Sequence, residues 1–187
     1  DITFDFSQKN AKVIHNNVAE PWKVTIVDTG LNTLTGGRIK RVKDYIGNET
    51  FMLTYGDGVC DVNIKNLLEF HKKGGKLATM TAIQPGGRFG VLDISSDNVV
   101  ERFAEKKKKD GGWINGGYMV LEPQVIDYID GDDTVFEKEP LERLSNEEEL
   151  QAYKYGGFWQ CMDTMRDKQL LESLYQSGKA PWKVWED

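Results

Sequence analysis

Cysteine and histidine are scarce, with two of each among 187 residues. Cys60, Cys161, His15 and His71 lie too far apart and in the wrong order for a zinc site, and one cysteine pair is no disulfide framework. Reduced thiols are expected, and both histidines read as surface or helix residues. No apolar run is long enough to span a bilayer, and the opening DITFDFSQKN has neither the basic start nor the apolar middle of a signal peptide. The expected compartment is the cytoplasm. Positive charge is also short: 24 basic against 30 acidic side chains leave a net charge of −6, which argues against a nucleic-acid or anionic-membrane surface. Repeats and low-complexity linkers are absent as well.

What is present is a chain that is 39% hydrophobic and long enough to bury one core, so a single domain over 1–187 is expected. Strand-like runs at 24–27, 51–55 and 77–83 alternate with helix-like ones at 35–46 and 63–73, where Ile39, Val42 and Ile46, then Ile64, Leu67, Leu68 and His71, share a face. Thr35 and Asn63 are the candidate caps. A hairpin at 89–94 and 99–103 precedes a strand at 118–121. Pro123 opens a short helix, 136–150 reads as another, and Met165, Leu170, Leu171 and Leu174 stripe a last one ending near Gly178. This is α/β grammar with a mixed, mostly parallel sheet. A glycine-rich loop between an opening strand and helix, the usual phosphate cradle, is missing: Gly74-Gly75-Lys76 and Gly86-Gly87-Arg88-Phe89-Gly90 have the wrong spacing, and the first residues read as irregular and polar. The chain is therefore expected to be the C-terminal portion of something longer.

Five stretches could carry chemistry, and each has a plainer reading. In TYGDGV, Asp57 follows a strand and lies between Gly56 and Gly58; it is either an Asp-Gly turn or a carboxylate at the strand-end crevice where α/β sheets bind ligands. In GFWQCMDT, Asp163 is either a helix cap or a second carboxylate. Two such aspartates suffice for Mg²⁺, which takes one or two carboxylates plus substrate phosphates, whereas the spacing from Asp57 to Glu69 excludes an EF-hand. FAEKKKKDGG is a solvated loop or, through Glu105 and Lys106, a sugar-hydroxyl acceptor beside a phosphate donor. WINGGYMVL holds Asn115, Gly116 and Gly117 as a bulge or as a close approach to ligand. VDTGLNTLTGGRIKR is a helix cap followed by a basic turn, or a polar, glycine-bearing loop that presents Arg38.

Together, VDTG with LTGGRIKRV, TYGDGV, PGGRFGVLDI, INGGYMVLEP, GFWQCMDT and GKAPWKVW resemble, in order, the glucose-1-phosphate cytidylyltransferase branch of the sugar nucleotidyltransferases. The likeness runs from about Glu20 to the end. It implies a Rossmann-like nucleotidyltransferase fold, incomplete at its N-terminus, and transfer of CMP from CTP to α-D-glucose 1-phosphate with Mg²⁺, giving CDP-glucose and pyrophosphate. By the same likeness Asp57 and Asp163 are metal ligands, Gly56 approaches the nucleotide, and Thr33 and Arg38 contact its phosphates or base. Glu105, Lys106, Asn115 and Gly116 then hold the sugar phosphate. A homo-oligomer with Arg38 acting across an interface is expected, as is a product that feeds deoxyhexose synthesis for surface polysaccharide such as lipopolysaccharide O-antigen. The family has proline where this chain has Lys107 and Cys161, so the sugar-side loops are expected to be less rigid. The opening loop of the family, with its arginine and lysine, is not found, so the chain alone is expected to be inactive. A uridylyl- or thymidylyltransferase, or a sugar-phosphate-binding subunit without catalysis, are the competing readings.

Overall fold

The computed structural model describes residues 22–85 and 112–184, residue 7, and the strands β1 (Ile2–Asp5), β2 (Ala11–Ile14), β6 (Gly90–Ile94) and β7 (Val100–Glu105). The helices are α1 (Thr35–Arg41), α2 (Lys43–Ile46), α3 (Ile64–Gly74), α4 (Glu139–Asn146) and α5 (Met165–Gln176), with a 3-10 turn at Pro123–Tyr128. The remaining strands are β3 (Phe51–Thr54), β4 (Gly58–Cys60), β5 (Ala78–Ile83), β8 (Ile114–Leu121), β9 (Leu150–Tyr155) and β10 (Trp159–Cys161).

The central sheet runs β3-β8-β5-β9 and is mixed. β8 is antiparallel to both β3 and β5, while β5 and β9 are parallel. β3 and β5 thus point the same way, joined through β4 and α3 in a βαβ crossover with β8 slotted between them. The expected parallel majority survives as strand direction but not as pairing: one ladder of the three is parallel, because β8 is reached through the β6–β7 hairpin rather than a helical crossover.

Alternation along β8 sorts the two faces. Met119 and Leu121 join Ala78 of β5 in a core with Val125, Ile126 and Ile129 of the 3-10 segment, Phe136, Leu141 and Leu144 around α4, and Ile39 of α1. Val120 and Thr79, paired and fully buried, face the other way, toward α3. There Leu67 is 1% exposed, a burial that contributes about 1.5–3 kcal/mol. Also 1% exposed is His71, which exchanges hydrogen bonds with Thr79 Oγ1 (2.7 Å) and Glu122 Oε1 (2.9 Å), so it is a core residue rather than a surface one.

Several local readings need correction. Asn63 caps α3 as expected, accepting from Asn66 N–H at 3.0 Å. Thr35 caps nothing: Leu34 is the N-cap of α1, and the single helix expected over 35–46 breaks at Val42. The strand expected at 24–27 is extended coil without a ladder, Val24 and Ile26 standing 72% and 93% exposed, since no neighbouring strand among the described residues pairs with it. The opening residues are not irregular, as β1 and β2 pair antiparallel. The helix expected over 136–150 is confined to α4, and β9 begins at its far end after Glu148 turns the chain at φ 58°.

Candidate active site

β4 and β10 form an antiparallel ribbon in which Cys161 faces Gly58. The ribbon continues one step further, with Met162 N–H donating to the Asp57 carbonyl at 2.8 Å. Asp57 therefore enters the ribbon where Asp163 leaves it, and both are exposed. The plainer reading of Asp163 fails, because the N-cap of α5 is Thr164, in a full capping box with Asp167. Two carboxylates with no helix to cap, set at one end of a two-stranded ribbon, are hard oxygen donors of the kind Mg²⁺ takes alongside substrate phosphates. Among the described residues no group of three or more metal-ligating side chains occurs, so such an ion would draw its other ligands from substrate and water.

The ribbon is pinned to β8. Tyr118 Oη donates to the Gly58 carbonyl at 2.7 Å, and Trp159 Nε1 donates to the Gly116 carbonyl at 2.7 Å. Asp61, just after β4, accepts from Phe158 N–H at 2.7 Å and from the Tyr155 hydroxyl, which fixes the chain between β9 and β10. Burial, then the bond to Asp61, pushes the Tyr155 phenol well above its ordinary pKa. Burial also raises the Cys60 thiol to about 11, which holds it in its protonated form. The tail closes over the same place, Trp182 packing on Phe158 with ring centres 5.3 Å apart.

The Asn115-Gly116-Gly117 stretch is the bulge that its glycines suggest. Register jumps so that Met80 faces Met119 but Ala82 faces Asn115, and Gly117 sits at φ +79°. A Cβ at Gly117 would lie 2.8 Å from the Tyr55 ring, so only glycine fits there on both counts. Gly116 is buried, with room for a Cβ denied by the Thr81 carbonyl at 3.0 Å, and its own carbonyl is committed to Trp159. Asn115 is half-buried, and its Oδ1 accepts from Gly117 N–H at 2.8 Å, which leaves the amide Nδ2 directed outward from the bulge and toward the Tyr55 hydroxyl at 3.3 Å. Gly56 is not in a left-handed conformation, and a Cβ there would meet nothing among the described residues within 4 Å, so its backbone is open on that side.

Thr33 lies just before α1 and Arg38 within it. Thr33 is buried against the glycines of α1, whereas Arg38 is exposed and folds onto its own loop, donating to Thr29 Oγ1 at 2.6 Å and to the Leu31 carbonyl at 3.3 Å. The TGG start of α1 has a packing reason that the sequence did not disclose. Leu34 and Gly36 donate backbone bonds to the carbonyls of Asp132 and Thr134, both 2.9 Å, and a Cβ on Gly37 would lie 2.6 Å from Asp132 Cα. Glu105 ends β7, opposite Gly90, and Lys106 lies outside the described residues, as does His15. Missed in the sequence altogether were Tyr55, Asp61 and Glu137, whose partners lie 60 to 102 positions away along the chain; only the aromatic next to Gly-Asp-Gly hinted at one of them.

A strand-end ribbon presenting two carboxylates, beside a glycine bulge on a mixed α/β sheet, offers hard oxygen donors to a divalent cation carrying a phosphate ligand. The chain belongs to the nucleotidyl transferase family, whose model matches residues 11–187. Over all 187 residues it is 54% identical to the glucose-1-phosphate cytidylyltransferase of Salmonella typhi, of which it spans 72%. Against mannose-1-phosphate guanyltransferase of Saccharomyces cerevisiae the identity is 35% over 155 residues, 78% of this chain and 42% of that protein. Among solved structures, HddC from Yersinia pseudotuberculosis superposes with a TM-score of 0.57 at 23% identity, covering 78% of this chain and 64% of that one, which bears out the fold. No helix among the described residues is long and apolar enough to cross a membrane.

Proposed function

We propose that this protein transfers CMP from CTP to α-D-glucose 1-phosphate, giving CDP-glucose and pyrophosphate, with Asp57 and Asp163 as its metal-binding carboxylates. The observation that supports the reading is the 2.8 Å bond from Met162 N–H to the Asp57 carbonyl, which brings Asp57 and Asp163 to the same end of the ribbon, in a chain 54% identical to a cytidylyltransferase. In the reaction an oxygen of the sugar phosphate forms a bond to the α-phosphorus of CTP as the bond to the pyrophosphate oxygen breaks. Positioning and charge neutralisation dominate such transfers, and no covalent protein intermediate is required. When bound, Mg²⁺ supplies positive charge to the phosphate oxygens. Asp57 and Asp163 hold it, Gly56 lets the nucleotide reach the backbone, and Asn115 on its bulge, with Gly116, Glu105 and Lys106, holds the sugar phosphate. Thr33 shapes the loop from which Arg38 reaches a phosphate or the base.

A homo-oligomer fits this assignment. Leu31, at 92% exposure, continues the exposed apolar run of Val24 and Ile26, and the run leads directly into the Arg38 loop, so a second copy seated there would receive the arginine. The product suits deoxyhexose synthesis for surface polysaccharide in the cytoplasm. The 187 residues hold no phosphate loop of the Walker or dinucleotide kind, and on their own they are expected to release no detectable pyrophosphate; steady turnover by them alone would place the triphosphate elsewhere.

The test is a set of initial rates with CTP, UTP and dTTP, using protein expressed from its complete reading frame, glucose 1-phosphate and Mg²⁺. CTP should lead by at least about tenfold. Preference for UTP or dTTP overturns the base assignment, and turnover of none, with glucose 1-phosphate still bound, replaces catalysis by a binding subunit.

A further inference from the structure

Glu137, just ahead of α4, stands where three separate segments of the candidate site meet. Its Oε1 accepts from the Tyr55 hydroxyl at 2.6 Å and its Oε2 from the Thr35 hydroxyl at 2.6 Å. Thr35, the first residue of α1, is itself oriented by Phe136 N–H, which donates to Thr35 Oγ1 at 2.9 Å. Tyr55 lies two residues before Asp57, and its oxygen accepts from Asn115 Nδ2 at 3.3 Å. The polarity of this chain is fixed at both ends. Asn115 cannot turn its amide around, because its Oδ1 is taken by Gly117 N–H; Tyr55 then accepts from Asn115 and sends its own proton to Glu137, whose carboxylate offers one oxygen to Tyr55 and the other to Thr35.

We propose that Glu137 is a positioning residue of the nucleotidyl transfer site: through the Tyr55 hydroxyl it sets the rotamer of the Asn115 amide that meets the sugar phosphate, and through Thr35 it ties that setting to the helix bearing Arg38. The proposal rests on the assignment of Asn115 to the sugar phosphate. It makes the carboxylate the one acceptor shared by the sugar side and the nucleotide side, so its loss is felt first by the sugar phosphate, two hydrogen bonds away, and not by the fold, which α4 secures through Leu141 and Leu144.

The experiment uses the full-length protein and the variants Glu137→Ala, Glu137→Gln, Tyr55→Phe and the Tyr55→Phe/Glu137→Ala pair, with whichever nucleotide the wild type turns over, so that a wrong base assignment does not affect it. Glu137→Ala and Tyr55→Phe should each raise KM for glucose 1-phosphate about tenfold while KM for the nucleotide changes less than about twofold, and the pair should be no worse than either alone, since both cut one relay. Glu137→Gln should recover most of the loss, because its Oε1 still accepts from Tyr55 while its Nε2 donates to the second lone pair of Thr35. Side-chain amide NMR gives a readout independent of turnover: the Asn115 Nδ2 resonance should move in Tyr55→Phe and Glu137→Ala and stay near its wild-type place in Glu137→Gln. Unchanged KM and an unmoved resonance in the alanine variant overturn the relay, as does a fall in Tm with kinetics intact. A resonance that moves while KM for the sugar phosphate does not leaves the relay standing but removes Asn115 from the sugar site, overturning its positioning role.

Discussion

The two sides of the candidate site are built by opposite means. The aspartate side stands on strands: a ribbon held by its own ladder, stapled to β8 by Tyr118 and Trp159, and braced by Asp61 and the capping box of α5. The arginine side stands on a seven-residue helix anchored by Thr35 on Glu137, Lys40 on the carbonyls of Ile129 and Asp130 and Arg41 in a two-bond pair with Asp132. Arg38, on the same helix, is turned out onto an exposed loop. Rigid strands suit carboxylates that share one ion, where small displacements are costly. An outward arginine held, among the described residues, by its own loop suits a group that must change partners when substrate or a second subunit arrives.

The sharpest way to break this comparison is to remove the carboxylates. Asp57→Asn and Asp163→Asn in the full-length enzyme should each lower kcat/KM by two or more orders of magnitude, since metal placement is lost. Asp57→Asn should leave stability within about 0.5 kcal/mol, as an exposed carboxylate contributes little. Wild-type rates in either variant would reduce the ribbon end to a plain turn. Next in size is Arg38→Ala, expected to cost roughly a hundredfold, as for loss of one charge-stabilising donor. If Arg38 serves a neighbouring subunit, mixing Arg38→Ala with Asp57→Asn protein should restore part of the activity after subunit exchange. Exchange without recovery would return Arg38 to its own subunit's site.

Local pattern carried the sequence reading some way. Asn63 before Ile64, Leu67 and His71 announces α3 with its cap, and Gly178 after a leucine stripe announces the end of α5, because those signals lie within a turn or two of the residues that they govern. Asp57 and Asp163 could be singled out for the same reason, each standing where an apolar run stops. That they are neighbours is a fact of pairing between Gly58 and Cys161, which no local pattern encodes. Thr35 shows the limit best: it has the residue type of a cap at the right place, yet its hydroxyl goes to Glu137, 102 positions away. Val24 and Ile26 fail in the other direction, since strand propensity without a partner strand makes no ladder. Glu137 carries no local mark at all, being one acidic residue in an acid-rich stretch.

The network that sets α3 on the sheet offers a stability test with a small expected effect on chemistry. His71 bridges Thr79 and Glu122, while Gln151 Nε2 donates to Thr79 Oγ1 at 2.8 Å and Thr50 Oγ1 to Glu122 Oε1 at 2.8 Å. His71→Ala leaves a cavity and strips partners from buried polar groups, so it should cost about 2–4 kcal/mol in urea unfolding. Activity well below the melting temperature should stay within about threefold, since none of these residues touches the ribbon. A large loss of kcat at full folding would mean that α3 positions Asp57 through Asp61.

The smallest effect concerns acid. Burial pushes the Glu122 carboxyl up, but hydrogen bonds from His71 and Thr50 outweigh it and hold the group below its ordinary value of 4.5. A folded-state pKa below the unfolded one means that the unfolded chain binds the proton more readily. The stabilisation is therefore complete above the ordinary value and drains away as pH falls through the folded one. Glu122→Gln keeps the shape and one acceptor for His71 but has no proton to gain. Its stability at neutral pH should fall below that of the wild type, and the gap should narrow steadily between about pH 6 and about pH 3, read as urea midpoints at matched ionic strength. A gap that stays constant with pH would assign the loss to packing. A gap that widens in acid would mean that the carboxylate is a burden in the fold and that His71 is held there by Thr79 alone.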